Sequence, residues 1–381
     1  MENHSTRLAI NVISADSHIV EPPNCYTDYI NPKFRDRAPH VTRDPNSNHG
    51  DVYVLPGIEG FLPIGLVAAA GIDPKELRQH GRAFSDMHAG GWDPIARLQD
   101  QDRDGIVAEM IYPSIGMALC GHPDTDLKHE SMWAYNRWLQ DFTGAAPTRL
   151  FGLGQTAIRS VPEAVRDFER FKEMGLKGVM MPCEPATEFD YDDPRFDPLW
   201  QASSDLNLPI SFHVLTSSRD KNIFGGAPRG PQIASWSGVI RTCQDIIGMF
   251  IYGRVFERNP DLRLVCVEAD AGWAPHFKYR MDHVYKRHRA WLKCDEMQKL
   301  PSEYFDEHIY LTFQDDWTAF NMVDMCNPRR LMWANDFPHS DSTWPWSQEI
   351  LIKHTQGLSE QEKLWILREN VKELYQLEGV A

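Results

Sequence analysis

The run "VISADSH" (12–18) ends on Asp16 and His18, a carboxylate and an imidazole two positions apart. In an extended strand, residues i and i+2 point to the same side, so both can aim at one point. Carboxylate oxygen and imidazole nitrogen together make the donor set of a divalent metal site. Two more donors of these kinds end apolar runs further on: His213 in "PISFHV" and Asp336 in "LMWANDFPH". Taken singly, each has an ordinary alternative. A strand-end Asp often caps a helix, and a strand-end His is often a hydrogen-bonded rim residue. Their combined meaning depends on whether the chain brings the ends of three runs to one place.

Eight apolar, β-rich runs cover 12–16, 105–114, 150–156, 178–182, 209–214, 262–269, 309–313 and 330–336. Most are continuously apolar, as parallel strands buried on both faces require. Helical patterns separate them. In "VPEAVRDFERFKEMGLKG", Val161, Val165, Phe168 and Phe171 recur at helical spacing, with Gly175 placed to terminate the helix. Alternating strands and helices predict an α/β fold, a (β/α)8 TIM barrel with insertions at the C-terminal mouth. A doubly wound sheet would place a glycine-rich turn after the first strand, and "ADSHIVEPP" is not one. In a barrel, Asp16, His18, His213 and Asp336 all end strands at the mouth where such folds carry their sites.

We expect one metal-dependent domain over 1–381, interrupted by irregular Pro/Gly-rich insertions at about 24–95 and 215–240. A net charge of −15 argues against nucleic acid or anionic membranes as partners. The longest apolar stretch, near "GFLPIGLVAAAG", is far short of the roughly 18 residues of a membrane span. The seven cysteines are scattered with no C-x-x-C pair, and the N-terminus lacks a secretory pattern, so a reduced, cytoplasmic protein is expected. Serine-hydrolase, P-loop, zincin and dinucleotide-binding signatures are absent from the sequence.

Asp-x-His on the first strand, His on the fifth and Asp on the eighth resemble the amidohydrolase superfamily. More narrowly, they resemble its amidohydrolase-related, decarboxylase-like branch, and "EADAGWAPHFKYRMD", "WANDFPHSDSTWP" and "ILRENVKELYQL" add to the resemblance. It implies a barrel binding one or two divalent ions through Asp16, His18, His213 and Asp336. Two positions depart from it. Where the branch's nonoxidative decarboxylases commonly place a histidine at the end of strand six, this chain has Glu268-Ala269-Asp270. The strand-four lysine of two-metal hydrolases is also missing, with Glu184 the nearest acidic residue.

Further donors stand near the same strand ends: Glu21, Glu268, His276 and His339. Together they could form a second, carboxylate-rich metal position. Equally, Glu21 could cap the turn before Pro22-Pro23, His339 could orient Asp336 or a water, and His276 could be an ordinary helix residue. Arg280 shares a helix face with His276 and would pair with Glu268 or bind a substrate carboxylate. Catalytic roles fall to Asp336, His339 and Glu268. The expected activity is that of a metalloenzyme on a small, carboxylate-bearing molecule. The extra donors favour a dinuclear Fe or Mn/Fe centre activating O2. The alternatives are a mononuclear Zn or Mn hydrolase or decarboxylase, and a metal-bearing partner subunit. A homodimer, or a hetero-oligomer with a related barrel, is expected by analogy.

Overall fold

In the computed structural model, eight parallel strands stand side by side: β1 (Val12–His18), β5 (Ile106–Tyr112), β6 (Leu150–Gln155), β7 (Gly178–Met181), β8 (Ile210–His213), β9 (Leu264–Val267), β10 (Ile309–Phe313) and β11 (Leu331–Trp333). They coincide with the eight apolar runs. The structure describes residues 7–43, 50–217, 230–231 and 233–380. Part of the expected 215–240 insertion therefore lies outside the described residues.

The ladder runs β1-β5-β6-β7-β8-β9-β10-β11. Its two edge strands meet, stitched by Asp336 N–H to Asp16 O (3.1 Å) and His18 N–H to Phe337 O (2.7 Å). The fold is a (β/α)8 TIM barrel. The strands β6 to β11 are buried along their whole length, which is why they read as unbroken apolar runs. The helix Val161–Glu173 shows the same logic on the outside. Ser160 caps it by accepting from Glu163 N–H, Phe168 and Phe171 bury, and Gly175 adopts φ 79° just past its end.

The first insertion contributes a three-stranded antiparallel sheet, β2 (His40–Arg43), β3 (Asp51–Val54) and β4 (Leu62–Pro63). Beyond it the chain lies against the mouth. Ala70 N–H donates to Pro338 O (3.0 Å) and Val20 N–H to Gly91 O (2.8 Å). Ala70, Phe337 and Trp344 form a small apolar cluster of their own. Trp317 and Trp346 are exposed. All seven cysteines are free thiols. No helix among the described residues is long and apolar enough to cross a membrane.

Candidate metal centre

β1 carries a bulge. Ser14 pairs with Glu109 and Ser17 with Ile111, so one extra residue fits between them. Even so, Asp16 and His18 converge, with Asp16 Oδ1 3.4 Å from His18 Nε2 and both side chains fully buried. His213, the last residue of β8, points its Nε2 to within 3.2 Å of His18 Nε2. Asp336 Oδ1 lies 3.4 Å from His18 Nε2, and Glu268 Oε2 lies 3.3 Å from His213 Nε2. Glu268 follows β9 directly. Glu268 and Asp336 both hold left-handed backbone (φ 58° and 51°), which costs a non-glycine residue about 1–2 kcal/mol. Both carboxylates are gathered with the histidines.

The hydrogen bonds fix what the two histidines present. His18 Nδ1 lies 2.9 Å from Pro113 O, and His213 Nδ1 2.9 Å from Val214 O. A carbonyl only accepts, so each Nδ1 carries a proton, and in the neutral, metal-binding form of each ring Nε2 is left with a lone pair. Two lone pairs therefore face each other at 3.2 Å. Around them, both oxygens of Asp16, both of Asp336 and Oε2 of Glu268 are buried without a hydrogen-bond partner. Buried, unpaired carboxylates are costly. A cation within 2.0–2.2 Å of these atoms resolves the whole set at once, so the residues fit a divalent ion. The donors fall into two overlapping sets, Asp16-His18-His213-Glu268 and His18-Glu268-Asp336-His339, each gathered within 4.8 Å.

Electrostatics agree with this crowding. Burial, then the neighbouring His339, pushes His18 down to about 3. Burial does the same to His339, also to about 3. Both are neutral at physiological pH, the form that binds metals. Burial would lower His213 too, but Asp16 and Glu268 outweigh it and its pKa rises. Asp16 resists burial because His18 and His213 hold it well below the carboxylate range. Glu268 is driven well above that range by burial and by Asp336, and Asp336 by burial and by Asp16.

Three of the sequence candidates stand elsewhere. Glu21 is fully buried, but its oxygens accept from Ile115 N–H (2.9 Å), Gly116 N–H (2.8 Å) and Tyr26 O–H (3.2 Å). A carboxylate so occupied holds the loop after β5 and is not gathered with the donors. His276 and Arg280 do share a face of the helix Ala274–His288, but both are exposed, and Arg280 forms no ion pair with Glu268. The buried face of that helix is Ala274, Pro275, Met281 and Tyr285.

The sequence reading passed over the residues that hold the donors in place. Arg97, fully buried, meets Glu109 Oε2 through Nε (2.6 Å) and donates to His18 O (2.8 Å), Gly90 O (3.2 Å) and Phe337 O (3.2 Å). It thereby clamps the ends of β1 and β11 together. Asn335 Oδ1 accepts from Ser14 Oγ (2.9 Å) and Ser17 Oγ (2.8 Å), tying Asp336's neighbour to the strand that bears Asp16. No local pattern marks Arg97 or Glu109. Asn335 stood beside a named donor, and that adjacency was the one available hint.

The sequence model of the family described as "Amidohydrolase" matches residues 63–377. A curated relative, 2-amino-3-carboxymuconate-6-semialdehyde decarboxylase of Dictyostelium discoideum, is 23% identical over 265 residues, 68% of this chain and 70% of the relative. Among solved structures, an amidohydrolase from Mycobacterium avium subsp. paratuberculosis superposes with a TM-score of 0.78 at 19% identity, over 97% of this chain and 100% of the other. The 5-carboxyvanillate decarboxylase of Novosphingobium aromaticivorans, complexed with manganese and 4-hydroxy-3-methoxy-5-nitrobenzoic acid, gives 0.69 at 16% identity over 98% and 100%. At these identities the structural likenesses speak for the fold.

Proposed function

Because this chain belongs to the amidohydrolase family, we propose that it is a metal-dependent carboxy-lyase, releasing CO2 from a small aromatic or conjugated carboxylic acid. The observation that carries the metal reading is the pair of Nε2 lone pairs 3.2 Å apart, ringed by buried carboxylates without partners. The carboxy-lyase reading draws on the decarboxylases among the relatives, in sequence and in structure.

Asp16, His18, His213 and Asp336 would hold the ion. When bound there, a divalent ion acts as a Lewis acid on a substrate oxygen. Manganese is the first choice, because it accompanies a structural neighbour. Glu268 takes the place where a strand-six histidine was expected. Burial, then the neighbouring Asp336, raises the pKa of its carboxyl well above the ordinary carboxylate value, which favours the proton-carrying form, and its Oε2 has no hydrogen-bond partner. We assign it the proton transfer. The proton passes from Glu268 to the substrate carbon bearing the carboxylate. The carbon–carbon bond then breaks, its electron pair returns to the conjugated system, and CO2 leaves. Glu268 is left as carboxylate until solvent reprotonates it through its partly open side. Burial of the other donors excludes bulk water, which favours loss of CO2 over hydrolysis.

The expectation of an O2-activating iron centre finds no counterpart among these relatives and is not the reading adopted. The test is a manganese-reconstituted enzyme assayed against carboxylated phenols in D2O. Release of CO2 with one deuterium on the product carbon supports the proposal. Consumption of O2, or a hydrolysis product, would replace it with one of the alternatives.

A further inference from the structure

His339 has a second neighbour that decides its chemistry. Its Nε2 lies 2.8 Å from Ser114 Oγ, and the same Oγ donates to Ile19 O at 2.6 Å. A serine hydroxyl has one proton. The carbonyl of Ile19 can only accept, so the serine proton is committed there. Ser114 Oγ must then accept from His339, which places the His339 proton on Nε2. Nδ1 is left with a lone pair.

That lone pair faces the metal centre. Nδ1 is 3.1 Å from Asp336 Oδ1, yet Asp336 Oδ1 has no hydrogen-bond partner. The contact is close but carries no hydrogen bond. A cation shared by the two atoms would satisfy both the nitrogen lone pair and the unpaired carboxylate oxygen. The ring is held in place by stacking on His18, with centroids 3.8 Å apart and planes at 23°. A ring nitrogen of His339 is gathered with donor atoms of Asp336, Glu268 and His18 within 4.8 Å of one another, and Nδ1 is the nitrogen beside Asp336.

We infer that His339 binds the divalent ion through Nδ1, as a third imidazole beside His18 and His213, and that Ser114 is the positioning residue that locks its tautomer. The inference rests on the metal reading above and deepens it. Among the candidate donors, His339 is the one that Ser114 is hydrogen-bonded to, so its direct route to the ion is through that ring. It is itself anchored by Ile19, the residue after His18, and by its place next to the loop held by Glu21. The strand that supplies Asp16 and His18 therefore also sets the proton of His339.

The test uses the full chain, stripped of metal and titrated with Mn2+ alone. Pulsed electron paramagnetic resonance of the protein carrying 15N-histidine counts the imidazole nitrogens on the ion. We expect three in the wild type and two in His339→Gln. Ser114→Ala should weaken Mn2+ binding about 10–100-fold, the usual loss when a ligand's hydrogen-bond partner is removed, while Ser114→Thr restores it. On the His339→Gln background, Ser114→Ala should change nothing further. Two nitrogens in the wild type, or an unchanged Mn2+ affinity in Ser114→Ala, overturns the inference and leaves a two-imidazole centre standing. No Mn2+ binding at all overturns the metal reading itself. Should His339→Gln fail to fold, the wild-type count and the serine series still decide.

Discussion

Removing Arg97 should loosen both the barrel and its metal site. The guanidinium is fully buried and meets a carboxylate, Glu109, that is 1% exposed. In Arg97→Leu, Glu109 keeps a single side-chain donor, Gln101 Nε2 at 2.8 Å. An uncompensated buried charge of this kind costs about 3–5 kcal/mol, and the surviving hydrogen bond puts the expected loss near 3. In Glu109→Leu, the guanidinium keeps three carbonyl acceptors, so the loss should be smaller. The double variant buries no charge. It should be less destabilised than the sum of the singles by about 1–3 kcal/mol. Urea denaturation of the metal-free chains, followed by fluorescence and circular dichroism together, measures all four corners. Because Arg97 also grips the backbones of His18 and Phe337, Arg97→Leu should weaken Mn2+ binding by about tenfold or more. Strict additivity of the two single losses would refute the pairing. An unchanged Mn2+ affinity would refute the clamp.

Glu21→Gln should cost about 1–3 kcal/mol, because one of the acceptors for the Ile115 and Gly116 amides is lost while everything around it stays buried. The Mn2+ count should not change, and a lost ion would return Glu21 to the ligand set. Asp167, pushed up to about 6 mainly by burial, favours folding in its protonated form. Its stabilisation is complete below the unfolded value near 3.8 and is lost as pH rises through about 6. Asp167→Asn should therefore gain on the wild type by up to about 3 kcal/mol between pH 4 and 7, and parallel pH profiles of melting temperature would contradict this.

The barrel strands were legible because burial on both faces leaves an unbroken apolar run. Asp16, His18, His213 and Asp336 were legible because each ends such a run. Helical spacing likewise placed His276 and Arg280 on one face. It could not say which face, since that is set by how Met281 and Tyr285 pack. Glu21 looked like a donor because its partners, the amides of Ile115 and Gly116, lie more than ninety residues away. A still longer separation, 225 positions, hid Ser114 as a neighbour of His339. The small sheet β2-β3-β4 was missed because its strands are short and half exposed, without the apolar runs that marked the others.

The seam between β1 and β11 joins Ser14 to Asn335 across 321 positions of chain. The first donors to leave the ribosome are thus the last to be completed. At about 5–20 residues per second, Asp16 and His18 wait on the order of tens of seconds for Asp336 and His339 to emerge. Until β11 is made, β5 is the one barrel strand available to pair with the N-terminal strand. A nascent chain cannot assemble the full donor set, whatever the supply of ions. Loading of the centre would therefore be a timestamp: it would certify that synthesis has passed Asp336 and His339 and that the two ends of the barrel have met.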